Sequence, residues 1–341
     1  MNTTRLSFGK DKTAIIKGIA IIMMVILHCG NPEWFDMSIP VFMNNSSLPH
    51  YFSPLKLCVG IYTFMVGYGY AFAKNKDWHY SWSHIKKLLI PFWTILFIFT
   101  FPILLIKKNF EGELFLLNLF GINSEYNYFS WFVAFFIFAM IVLPFMSRII
   151  NKRPIIGSVF LIILTYIFEA GIHTLPNWSE NDYTLRLFDC FLCSPCMILG
   201  YLFSHQQWFV KIKIPRHWSM FFLSLILIFS VLLFRYHLEI IIGFILDFFY
   251  APLFIIAVLI IFNIHNNSIL SQILTSFGNV SVYMWFFHAL FFTSIVRNVY
   301  QPFILISSHL YIIIPWTIIL TYFCSLVISN VVKKIQEWIA Q

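Results

Sequence analysis

Ten apolar runs, each close to the roughly 20 residues that a helix needs to cross a bilayer, govern what this chain can fold into. They cover about residues 13–30, 55–73, 88–106, 130–147, 154–171, 187–204, 217–234, 243–263, 280–297 and 310–332. Asp247 interrupts the start of the eighth. Only 11% of the residues are charged while 60% are hydrophobic and 41 are Phe, against about 25% charged in an ordinary soluble domain. The expected fold is therefore an all-α polytopic membrane protein, a bundle of about ten transmembrane helices.

The loops between the runs set the expected orientation. With a cytoplasmic N-terminus, 16 of the 22 Lys and Arg fall on the inner side, leaving Lys56, Lys107, Lys108, Arg186, Arg235 and Arg297 outside. The positive-inside rule counts Lys and Arg near the ends of spans, and with ten spans it puts both termini in the cytoplasm. The net charge of +8 is spread over short turns instead of being gathered on one face, which argues against a nucleic-acid partner. The first run is long and no small-residue cleavage site follows it, so it is expected to stay as the first helix.

No linker, repeat or low-complexity tract divides the chain, so residues 1–341 are expected to form a single membrane domain with no appended soluble domain. The outer loops (NPEWFDMSIPVFMNNSSLPHYF, INSEYNYFSW and HTLPNWSENDY) mix aromatic and polar residues. Such a set suits an interfacial belt at each single position, and its outward bias suits a sugar-bearing acceptor. Cys190, Cys193 and Cys196 recur at three-residue spacing without an evident fourth ligand, so apolar contact is preferred to a metal site and no metal is expected. No phosphate-cradling glycine loop of the ATPase type is present.

Two ionisable residues stand inside the first run, KGIAIIMMVILHCG. Lys17 and His28 are eleven positions apart, about 1100° of helical rotation and about 16 Å of rise, so they share one face. A charge deep in a bilayer costs roughly 2.5–3.5 kcal/mol on insertion scales, which makes an embedded Lys-His face a functional hypothesis. The chemistry it suggests is a catalytic path that crosses the membrane.

At these positions the chain resembles the acyltransferase 3 family of integral membrane O-acyltransferases, whose first helix carries a basic residue, ten further positions and a histidine. The resemblance continues through Gly67 and Tyr68 in VGIYTFMVGYGYAFA, where Val66 replaces a serine. It extends through Lys86, Lys87 and Pro91 in HIKKLLIPFW, through the pair Trp131 and Phe132, and through Ser281, Tyr283 and His288 in SVYMWFFHALFF. Lysine stands at 17, 86 and 87 where many members have arginine, replacing bidentate phosphate recognition by point charges.

The resemblance implies transfer of an acetyl or other acyl group from cytoplasmic acetyl-CoA, or another acyl-CoA, to a hydroxyl of a cell-envelope or capsular polysaccharide or a lipid-linked saccharide. The acyl-CoA is a co-substrate, with no tightly bound cofactor, and the setting is a bacterial cytoplasmic membrane. Lys17, Lys86 and Lys87 are then the candidates for the CoA phosphates. His28 is the candidate general base, with transient acylation of His28 as a mechanistic alternative. His288, Ser281, Tyr68 and Trp131 are candidates for lining the path. Glu169, Asp189 and Asp247 fall at outer helix ends as candidates for orienting the imidazole. A secondary transporter or glycan flippase is the competing class, but the paired midplane helix breaks and inverted repeats of transporters are not evident.

Overall fold

The computed structural model describes residues 3–31, 34–35, 48–215, 217–264 and 268–340. Most of the first outer loop, and Arg216 on the expected inner side, lie outside the described residues. In chain order the elements begin with strand β1 (Thr3–Arg5) and helices α1 (Lys10–Cys29), α2 (Leu48–Phe52), α3 (Leu57–Ala71), α4 (Trp78–Ile95), α5 (Phe101–Ile106) and α6 (Gly112–Leu119). Helices α7 (Trp131–Lys152), α8 (Pro154–His173), α9 (Asp182–His205) and α10 (Trp208–Lys211) lead to strand β2 (Lys213–Pro215). The chain closes with α11 (Trp218–Ile242), α12 (Asp247–Ile264), α13 (Ile269–Asn279), α14 (Ser281–His288), α15 (Ser294–Tyr300) and α16 (Leu310–Ala340).

Among the described residues, eight helical stretches are long and apolar enough to cross a membrane: α1, Trp78–Ile106, α7, α8, α9, Trp218–Leu238 of α11, α12 and Leu310–Trp338 of α16. The 15-residue α3 and Ser281–Phe291 are shorter. Apolar stripes point outward at helical spacing, as Ile156, Phe160, Ile163 and Ile167 do on α8, and Phe222, Ile226, Phe229 and Leu233 on α11. Exposed surface of this kind has lipid as its solvent. The chain is an all-α polytopic membrane protein, and its strands among the described residues form only a short antiparallel ribbon pairing Thr4 with Ile214.

Two stretches depart from the runs read in the sequence. Helix α4 starts at Trp78, ten residues before the third run, so Lys86 and Lys87 are exposed residues midway along it instead of in a turn. Further on, Leu96–Thr100 is a π-helical segment; Pro102 just beyond it offers no backbone N–H, and the Phe101 N–H turns to Leu96 O. The ninth run is not one continuous helix. Helix α14 ends at His288, passes through a 3-10 turn at Ala289–Phe291, and Thr293 is extended before α15 begins. The break is held by Thr293, whose hydroxyl donates to Ala289 O at 2.8 Å and accepts from the Tyr128 N–H at 3.2 Å. Irregular backbone at membrane depth requires such partners.

The chain divides into two compact units, one of residues 1–20, 53–81 and 138–279, the other of residues 21–52, 82–137 and 280–341. In the first unit α3 and α9 meet backbone to backbone. A Cβ added at Gly67 would lie 1.9 Å from Met197 O, and one at Gly200 would lie 1.9 Å from Phe64 O. Small residues at such crossings are how membrane helices gain close contact without a hydrophobic driving force, so Gly67 of the sequence motif has a packing role here. In the same unit the buried Arg235 on α11 holds Asp247 at the start of α12 through Nε–Oδ1 at 2.8 Å and Nη2–Oδ2 at 3.2 Å. Its Nη1 also donates to Ser53 O at 2.7 Å.

The second unit is built on aromatic contacts around α14. Phe286 meets Phe92 at 4.8 Å between ring centroids, and Trp285 meets Phe132 at 4.5 Å. Gly121, with φ of +70°, makes the turn before the 127–130 segment, where a Cβ would strike Ser130 O at 2.2 Å. That turn fixes the segment that reaches the site.

Candidate active site

His28 closes the last turn of α1 and is buried, with 6% of its surface exposed. His288 closes α14 and is wholly buried. Although 260 residues apart in sequence, His28 Nδ1 and His288 Nε2 are 2.8 Å apart. His288 Nδ1 is 2.8 Å from Met284 O.

The carbonyl at the end of this chain decides where the protons sit. Met284 O can only accept, so His288 Nδ1 carries a proton and donates to it. In a neutral imidazole the other nitrogen is then an acceptor, and His288 Nε2 accepts from His28 Nδ1–H. His28 is thereby fixed as the Nδ1-protonated tautomer, with its lone pair on Nε2. An imidazole nitrogen with a lone pair can accept a proton.

Aromatic rings fix the plane of the pair. Phe129 stacks on His28 at 3.8 Å and 3°, and on His288 at 4.9 Å and 11°. Trp34 leans on His28 at 4.4 Å. Each of these rings is itself tied down. Phe129 O accepts from Trp285 Nε1 at 3.0 Å, and Asn127 Nδ2 donates to Phe286 O at 3.1 Å, which docks the segment before α7 onto α14. Trp34 O accepts from Gln301 Nε2 at 3.0 Å, and the same nitrogen donates to Phe291 O. The imidazoles therefore have little freedom to rotate out of line, which is what a catalytic hydrogen bond requires of its surroundings.

A family model for an acyltransferase domain, acyltransferase 3, matches residues 14–332, nearly the whole chain. The chain belongs to the acyltransferase 3 family. No curated protein and no solved structure gives a match. Family membership and the long apolar helices together make it a multi-pass membrane acyltransferase.

In this acyltransferase 3 chain the other residues singled out in the sequence are distributed as follows. Lys17 is half-buried on α1, about three helical turns before His28 on an unbroken helix, and its carbonyl accepts from Tyr62 OH at 3.1 Å. Lys86 and Lys87 are exposed. Ser281 is buried at the first position of α14, and Trp131 is half-buried at the start of α7 beside Phe132. Tyr68 lies in the first unit, against Phe8 at 4.5 Å, and donates to Phe8 O at 3.3 Å. Among the acids, Asp247 is bound by Arg235, Asp189 forms an ion pair with Arg186, and Glu169 is half-buried on α8. His28 meets a second imidazole through Nδ1 instead.

Phe129, Trp34, Met284 and Asn127 carry the geometry of the site and were not singled out in the sequence. The only sequence signal for them was their place in aromatic outer loops or beside His288. Among the described residues, no group of three or more His, Cys, Asp or Glu is placed to hold a metal ion.

Proposed function

We propose that this membrane acyltransferase moves an acetyl or related acyl group from cytoplasmic acyl-CoA to a hydroxyl of a cell-envelope or capsular glycan, with His28 as general base. The observation that supports this reading is the Met284–His288–His28 hydrogen-bond chain, which leaves the acceptor lone pair on His28 Nε2. Nε2 takes the proton of the acceptor hydroxyl as its oxygen attacks the thioester carbonyl. The C–S bond breaks, and the proton passes from Nε2 to the departing thiolate, giving an O-acyl ester and free CoA. While His28 is cationic, its Nδ1–H donates to the neutral His288, a charge-assisted hydrogen bond that stabilises the imidazolium.

The reading also uses the order of residues on α1. Lys17 lies toward the end expected to be cytoplasmic, where the CoA phosphates enter, and His28 lies toward the other. Replacement of Lys17 by Gln should raise the acetyl-CoA concentration needed for half-maximal transfer by on the order of tenfold to a hundredfold, the worth of one charge-assisted hydrogen bond. Arg at position 17 should restore it. Steady-state kinetics in vesicles measure this, and an unchanged acetyl-CoA requirement leaves Lys17 as a topology signal.

The function as a whole is tested by comparing ester-linked acyl groups on surface polysaccharide from a deletion strain and its parent. Loss of one ester species on deletion, restored by the wild-type gene and not by a His28→Ala copy, is the expected result. An identical ester content in deletion and parent strains overturns the glycan acceptor.

A further inference from the structure

The first unit contains a pocket of ≈ 560 Å³ where α1 begins, built from residues that the catalytic argument does not use. One wall is the first turn of α1, with Lys10, Asp11 and Lys12. The other is α13, an amphipathic helix that the apolar runs do not include. Ser271, Thr275 and Asn279 follow one another at four-residue steps along it, with Gln272 and Ser276 one position round, so α13 turns a continuous polar face to the pocket. Ile269, Leu270 and Ile273 on the same helix are exposed apolar residues, while Leu274 is buried.

The two walls are locked together. A Cβ at Gly278 would lie 1.8 Å from Ala14 O, and one at Gly18 would lie 2.1 Å from Leu274 O, so α1 and α13 touch at the backbone on both flanks of their crossing. The cavity between them is thus preformed, and its volume is in the range of small-molecule sites. Its chemistry is unusual for a chain that is 60% hydrophobic. Lys12 is buried and donates to Phe262 O, Lys10 is exposed at the rim, and the opposite face offers hydroxyls and amides. Two ammonium groups and amide donors suit phosphate oxygens. The single carboxylate, Asp11, and the side-chain carbonyls of Gln272 and Asn279 suit the hydroxyl and amino donors of a ribose or nucleobase. Lys17 lies seven residues beyond Lys10, about 20° short of two full turns, so the two share a face of α1.

We propose that this pocket binds the phosphate-bearing nucleotide end of the acyl-CoA donor; the proposal rests on the acyl-CoA reading above and adds to it a place for the part of the donor farthest from the thioester. Lys10 and Lys12 hold phosphate, the α13 face holds the nucleoside, and Lys17 follows along the same face of α1 as the donor's arm leaves the pocket.

The test is equilibrium binding to the full-length protein in nanodiscs, with CoA, dephospho-CoA and adenosine 3′,5′-bisphosphate as probes. Lys10→Gln and Gln272→Glu change exposed side chains, the second without changing its size, so the fold is kept. The expected result is that the bisphosphate competes with CoA, that dephospho-CoA binds more weakly, and that the double variant binds CoA on the order of tenfold to a hundredfold more weakly. CoA binding that is equal in wild type and double variant overturns the pocket while leaving the acyl-CoA reading intact. Wild-type protein that binds no CoA overturns both. Nanodiscs of phosphatidylcholine and of phosphatidylglycerol separate nucleotide from lipid: a pocket filled by a lipid phosphate shows CoA binding indifferent to the Lys10 and Gln272 changes but protein stability dependent on phosphatidylglycerol, and that outcome also overturns the proposal.

Discussion

His28→Ala is expected to lower acyl transfer by about 10²–10⁴-fold, the usual contribution of a positioned general base, with membrane insertion and CoA binding retained. In the proposed mechanism the imidazole acts on the acceptor hydroxyl and not on the CoA phosphates, so loss of chemistry with binding kept is the required signature. His288→Ala is the internal comparison. Without His288 Nε2 as acceptor, nothing in that chain holds the proton on His28 Nδ1, and the lone pair distributes over both nitrogens. A partial loss is therefore expected, in kcat more than in KM for the donor. Transfer rates per folded molecule, with donor binding measured in parallel, check both variants. Near wild-type transfer by folded His28→Ala protein would exclude His28 as the base, and a purely structural His288 would lower protein yield without lowering kcat per folded molecule.

Hydropathy made the spans legible because a lipid-facing helix needs an apolar residue at nearly every position, and that demand is local in sequence. Each of the ten apolar runs overlaps helical backbone, with the ninth interrupted between His288 and Ser294. The stretch from Trp78 to Lys87 escaped the same reading because its charged and aromatic residues suit the exposed start of a helix as well as a turn. The break after His288 escaped it because Thr293 stops the helix through a bond to Tyr128, which lies 165 residues away in the chain. That Lys17 and His28 lie on one helix was readable from their spacing, since helical geometry converts sequence distance into shared direction. The pairing of His28 with His288, and the stack of both on Phe129, join three separate segments. No periodicity records such contacts, and only the fold supplies them. The same limit holds for Asp247, whose side chain reads as a free acid at a helix end until Arg235 is placed beside it.

Removal of Arg235 alone is expected to be among the most destabilising single changes in the chain. Its side chain is 1% exposed and donates twice to Asp247 and once to Ser53 O. Gly60 on α3 brings the backbone close to the same carboxylate, since a Cβ there would lie 3.2 Å from Asp247 Cβ. The pair therefore ties α3, α11 and α12 at one point. Arg235→Met leaves a buried carboxylate without its counter-ion, and breaking a buried pair from one side costs about 3–5 kcal/mol. The double change Arg235→Met with Asp247→Leu removes both charges, and apolar replacement of a buried pair is often neutral or stabilising, so most of the loss should be recovered. Thermal unfolding of the detergent-solubilised variants measures the difference, with a large negative coupling between the two sites as the expected outcome. Additive losses in the double variant would show that the ion pair is not the reason either residue is buried.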